Sequence, residues 1–139
     1  MMRPADHNDA DIVLRLYELR REPVMRQARA FFMELAPRRY EDLRTVMDFA
    51  HPKNAFFRQV TSYWEMAASF VNRKVLHADL YADNCGEGLF VFAKLEPFLK
   101  EIRDTYSPTF LTQTERAIAE NPVIAQRMNV IREVLKKRS

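Results

Sequence analysis

The chain has 139 residues, 47% apolar and 29% charged, which fits one domain able to bury a core and is unlike a disordered segment. Its net charge is only +3, and its densest apolar run, at 89–93, falls far short of the ~20 residues that span a bilayer. With no apolar stretch behind the first residues either, a signal peptide or membrane anchor is not expected. The lone cysteine, Cys85, rules out an intrachain disulfide and argues against a thiolate metal cage, so a cytoplasmic protein is expected.

The two glycines, Gly86 and Gly88, sit two positions apart. Hairpins and phosphate-cradling loops use glycine repeatedly, because it takes φ > 0 without steric cost. Its scarcity predicts helices joined by turns of proline, asparagine and aspartate. It also excludes a P-loop and the usual serine nucleophile elbow.

In chain order, Asn8 or Asp9 is expected to cap a first helix with Ile12, Val13, Leu16, Tyr17 and Leu19 on its apolar face, after a flexible tail at 1–8. Pro23 then either kinks that helix or opens a new one, since the stripe continues through Val24, Ala28, Phe31, Phe32 and Leu35. Pro37 ends the unit. Tyr40, Leu43, Val46 and Met47 mark a helix at 39–49, and His51-Pro52 the next break. The longest helix is predicted at 54–73, where Phe56, Val60, Tyr63, Trp64, Ala67 and Val71 recur at helical spacing. Ala67, Ala68 and Ser69 are small enough to admit a neighbouring helix.

A short turn of helix at 78–82 leads to the glycines, with Asp79 as its cap and Asp83, Asn84 and the glycines as its closing turn. Leu89, Phe90, Val91, Phe92, Ala93 and Leu95 follow, apolar on nearly all sides, which predicts a helix in the middle of the bundle, kinked at Pro97. Ser107-Pro108 and Asn121-Pro122 each pair a cap residue with proline at N1 and should open two final helices. The expected fold is all-α: a single-domain helical bundle over 1–139, of six to eight helical segments with proline-kinked helices.

Four constellations could carry chemistry. His77, Asp79 and Asp83 hold the densest set of metal-ligand types, but caps and a turn explain them as well, and the spacing is not that of a calcium loop. Cys85 lies between the acidic Asp83 and Glu87, which disfavours a thiolate and points to a structural thiol. Glu96 stands in the most apolar helix, where it could pair with Lys100 or an arginine, or rim a ligand pocket with Tyr63, Trp64 and Phe92. The last 17 residues carry five cations against Glu133, leaving the rest of the chain slightly acidic. Arg127, Arg132, Lys136 and Lys137 could meet an acidic partner or a nucleic acid, although cations also suit a helix C-terminus. Ile124, Met128, Ile131 and Leu135 give that helix a seam for docking on the body or on a second subunit.

The stretch from Phe57 to Met66, with Leu76 to Tyr81 and Gly86 to Phe92, resembles small all-helical bacterial proteins grouped as domains of unknown function. The resemblance implies a helical fold and a bacterial cytoplasmic origin, and brings no catalytic residue. The first reading is a non-enzymatic interaction module, a homodimer or bound to a protein partner, with no cofactor and no membrane. The second is a small-molecule-binding or enzymatic bundle with its pocket near Tyr63, Trp64 and Glu96. The third is nucleic-acid binding through the basic last helix.

Overall fold

The computed structural model describes residues 3–138. Within them α1 (His7–Arg20), α2 (Pro23–Glu34), α3 (Tyr40–Met47), α4 (Asn54–Asn72), α5 (Ala78–Asn84) and α6 (Gly86–Leu95) are followed by a 3-10 turn (Glu96–Phe98). Then come α7 (Leu99–Thr105), α8 (Thr112–Glu120) and α9 (Pro122–Arg138). There is no strand among the described residues, so the domain is all-α as expected.

The hub is α4. Its Phe57, Val60, Trp64, Ala67, Ala68 and Val71 are buried, and α2, α3, α5, α6 and α8 all pack on it. Burying each large side chain of this set contributes about 2 kcal/mol. Ala67 and Ala68 have no exposed surface, as the close approach of neighbours requires. Phe57 stacks on Phe32 of α2 at 5.8 Å and on Phe110 at 6.1 Å, and Phe110 meets the edge of Tyr106. This ring ladder joins α2, α4 and the connection before α8. The predicted seam of α9 docks on the body: Ile124, Met128 and Ile131 are buried, Leu135 half-buried, and the helix packs on α5, α6 and α8.

Of the two roles open to Pro23 the structure takes the new helix, and Pro97 divides a helix where a kink was expected. Pro23 is the first residue of α2, whose N-terminal amides at Val24 and Met25 donate to the Glu22 carboxylate. Pro97 lies in the 3-10 turn that separates α6 from α7, because without an N–H it cannot continue the α-helical ladder. Lys94 closes the C-terminal end of α2 from outside, its Nζ donating to the carbonyls of Phe32, Met33 and Leu35 at 2.8–2.9 Å.

The N-terminal cap of α1 is Asp6, not Asn8 or Asp9, in a capping box completed by Asp9. His7 and Asn8, placed in the tail by sequence, are the first residues of α1. Met1 and Met2 lie outside the described residues. Asp9 is fully buried and accepts from both Arg3 guanidinium nitrogens (2.6 and 2.7 Å), from Asp6 N–H and from His77 N–H. The chain from Arg3 onward is thereby tied to the start of α5.

The glycines do not form a turn. Both lie in the first turn of α6 with φ in the ordinary negative range, and their role is spatial. Ser107-Pro108 likewise opens no helix: α8 begins only at Thr112, after Leu111 has turned into the left-handed region at φ 56. The Phe110 carbonyl is held by Arg103 Nε at 2.9 Å, and the cap of α8 comes from α4. There the Glu65 carboxylate accepts from Gln113 N–H (2.7 Å), Thr114 N–H (3.0 Å) and the Thr114 hydroxyl (2.8 Å).

Candidate functional site

Where α1 runs past the C-terminal end of α5, a cleft of about 410 Å³ opens over the indole of Trp64. Val13, Leu14, Leu16, Tyr17 and Arg20 form the α1 wall, and Asp83, Asn84 and Cys85 the opposite one. The volume falls in the range of small-molecule sites, and most of the lining is apolar, as such sites are. Its walls are fixed from behind. The Tyr63 hydroxyl of α4 donates to the Leu16 carbonyl, and Arg29 Nη1 donates to the Arg20 carbonyl at 3.2 Å. Arg29 is itself held by Glu87 of α6 at 2.9 Å.

Trp64 is set edge-to-face against Tyr63 at 4.8 Å and is buried, with its indole N–H lacking a partner. Arg20 crosses both aromatic rings of the cleft, its Cζ 5.2 Å from the centre of Tyr17 and 5.9 Å from that of Trp64. No carboxylate pairs with this half-buried guanidinium among the described residues, although Asp83 lines the same cleft. Burial pushes the Cys85 thiol up to about 12, with Arg20 opposing the shift, so the sulfur is a neutral wall group. Burial likewise pushes Tyr63 up to about 12 and raises Tyr81 further, which keeps both phenols neutral.

The sequence-derived pocket is only partly assembled. Trp64 lines the cleft, whereas Tyr63 stands behind it, Phe92 is a buried core ring, and neither Phe92 nor Glu96 lines it. Glu96 begins the 3-10 turn and faces α9, where Arg132 clamps both its oxygens at 3.0 and 2.7 Å. Tyr17 and Arg20 were not singled out from sequence as site residues. The signal available was their i, i+3 spacing on a helix that also carries apolar residues off its buried face, Leu14 among them.

His77, rather than Asp79, caps α5: its Nδ1 accepts from Asp79 N–H at 3.1 Å while its Nε2 donates to the Arg3 carbonyl at 2.8 Å. Both ring nitrogens are thus engaged, and Asp83 belongs to the cleft rim. Among the described residues no group of three or more His, Cys, Asp or Glu side chains is placed to hold a metal ion. A second cleft, of about 590 Å³, lies between Arg3, Lys74, His77 and Asn121, but Arg3, His77 and Asn121 are each hydrogen-bonded within the protein.

The basic residues of α9 are dispersed in their contacts. Arg132 binds Glu96, Arg127 lies against Gly86, and Arg138 stands 5.6 Å from the centre of the Phe90 ring, which Lys94 also approaches at 5.5 Å. Lys136 is engaged as well, and Lys137 is exposed.

A small all-α domain with an aromatic, arginine-bearing cleft is the class these observations define. The chain belongs to the family described as domain of unknown function DUF4760, whose model matches residues 5–120. The match spans α1 through α8 and stops before α9. No curated protein and no solved structure matches the chain. No helix among the described residues is long and apolar enough to cross a membrane.

Proposed function

We propose that this domain acts by binding a small molecule, without chemistry on it, and that the cleft between α1 and α5 is the binding site. The observation that carries this reading is Arg20, a half-buried guanidinium laid across Tyr17 and Trp64 at a ligand-sized opening. Its N–H donors take no protein acceptor and can therefore meet an anionic group that enters the cleft. The state of the reactive groups supports binding over catalysis. Asp9, Glu65, Glu87 and Glu96 each hold a structural contact, and the Cys85 thiol is kept neutral. A lone cysteine retained as a buried thiol also suits a reducing, cytoplasmic setting.

Native mass spectrometry of freshly purified protein tests the reading. A monomer carrying an extra mass that denaturation removes is the expected result. A bare chain, together with Trp64 emission that no member of a small-molecule library shifts, would sink it.

A protein-interaction role is favoured by a separate observation. Val130 and Val134, four residues apart on α9, are 56% and 41% exposed and form an apolar strip on the side of the helix turned away from Ile124, Met128 and Ile131. On this reading the strip meets a second copy or a partner protein, and the double substitution Val130→Glu, Val134→Glu abolishes association in sedimentation velocity. A wild-type chain that sediments as a monomer at all concentrations and captures no partner removes it.

A further inference from the structure

Resting on the small-molecule reading, we infer that the cleft at Trp64 selects an organic carboxylic acid: an apolar body against Leu14, Tyr17 and Trp64, and a carboxylate on the edge of Arg20.

The argument starts from how Arg20 is held. A guanidinium is a flat cation whose faces stack on rings while its five N–H donors point outward in the plane. The Cζ of Arg20 stands 5.2 and 5.9 Å from the centres of two rings, an electrostatic contact that takes up none of its N–H donors. No side-chain hydrogen bond or ion pair of Arg20 occurs within the described residues, whereas Arg3, Arg29, Arg103 and Arg132 each pair with a carboxylate. Arg20 therefore stands beside both rings of the cleft with its donors unsatisfied by protein. The matching shape is a two-oxygen anion met edge-on, as in a bidentate arginine–carboxylate pair.

The surroundings decide what the anion carries. Val13, Leu16 and the rings of Tyr17 and Trp64 make the cleft apolar beside the cation, and Leu14 at its mouth is 59% exposed. A small inorganic anion would leave that surface wet, whereas an acid with an aromatic or aliphatic body covers it. The α5 wall sets the orientation. Asp83 repels an anion, and the Asn84 amide nitrogen donates to its own helix at Leu80 O, 3.0 Å away, which leaves acceptors on that side. The carboxylate must therefore lie at the Arg20 side and away from Asp83. The same wall disfavours a dianion.

Trp64 is the only tryptophan in the chain, so its fluorescence reports this cleft and no other place. The test titrates the full chain with three probes that share one body: 4-phenylbutyrate, 4-phenylbutanol and 4-phenylbutylamine. The expected result is saturable change in Trp64 emission with the acid binding at least about ten-fold tighter than the alcohol, the size of one charge-assisted pair. Arg20→Gln should bring the ratio of acid to alcohol affinity close to one, whatever it does to each affinity, and Arg20→Lys should restore part of the ratio. Far-UV melting curves establish that the variants are folded.

Equal binding of acid and alcohol by the wild-type chain overturns the inference about the acid and leaves the cleft as a binding site. Tighter binding of the amine overturns it in the same way and makes Asp83 the recognising charge. A preference for the acid that survives Arg20→Gln places the anion elsewhere and also refutes it. No binding of any probe, checked by saturation-transfer NMR as well as fluorescence, refutes both the inference and the small-molecule reading.

Discussion

Gly88 of α6 lies flat against the indole of Trp64: a Cβ built on it would stand 2.9 Å from Cε3 and 3.0 Å from Cδ2. Real Cβ atoms do not approach that closely, so the indole, set edge-to-face against Tyr63, or α6 itself would have to shift. Glycine within a helix ordinarily costs ~1 kcal/mol relative to alanine, so its presence here reflects space and not backbone freedom.

The two glycines should consequently respond with opposite signs. Gly88→Ala is expected to destabilise by about 1–3 kcal/mol through overpacking and to shift Trp64 emission, since the ring forms the cleft floor. At Gly86 the nearest atom to a new Cβ is Arg127 Nη2 at 3.0 Å, the far end of a flexible side chain. Gly86→Ala should be neutral or stabilising by up to ~0.5 kcal/mol. Urea melts of both variants read this directly, and equal losses would contradict the assignment.

Asp9 makes stability depend on acid. Its hydrogen bond with Arg3, followed by those from the Asp6 and His77 amides, holds its carboxyl well below the usual range, against the opposing effect of burial. A depressed native pKa means that the stabilisation is whole above about pH 4, where the unfolded carboxyl is ionised, and is lost as pH falls toward the native value. Asp9→Asn should cost about 1–3 kcal/mol at pH 7 by leaving buried donors poorly satisfied. Its deficit relative to wild type should shrink on acidification from pH 5 to pH 3. A deficit constant across that interval would show that the carboxylate's charge contributes nothing.

Glu65 is expected to govern α8 from a distance. Glu65→Ala removes the acceptor for Gln113 and Thr114 and should destabilise by about 1–2 kcal/mol, the value of a lost helix cap. Hydrogen exchange should accelerate first at 113–116. Uniform acceleration through α9 as well would mean that the two helices open together and that the cap has no local role.

Cys85 should be inert while the protein is folded. With its thiol pushed up to about 12 by burial, the thiolate fraction at pH 8 is on the order of a thousand-fold below that of a free cysteine. Ellman's reagent is expected to titrate it only in denaturant. Prompt labelling of the native chain would show that the cleft opens to its sulfur.

The candidate cleft was only partly legible because helical periodicity reports which residues share a face and not what the face meets. Trp64 and Tyr63 stood out as aromatics on the longest helix, and their burial follows from that pattern. Glu96 was drawn into the same pocket by its apolar neighbours, but the 3-10 turn at Pro97 rotates it toward Arg132. Tyr17 and Arg20 carry no local motif. Their meaning arises only where α5 passes beside α1 and brings Trp64 beneath them.

Scarcity of glycine, seven prolines and the apolar spacing of α4, α6 and α9 were enough by themselves to determine an all-α domain and most of its helix boundaries, because those preferences act within a few residues along the chain. Tertiary structure alone decided where caps and charges find partners: Glu65 on α8, Lys94 on the end of α2, Asp9 between Arg3 and His77. It also decided that the glycines are contact points and that Ser107-Pro108 starts nothing. Each of these depends on a partner at least 24 residues away, the separation of Gly88 and Trp64, or on a ring ladder, and the energy that selects them exists only after the helices have packed.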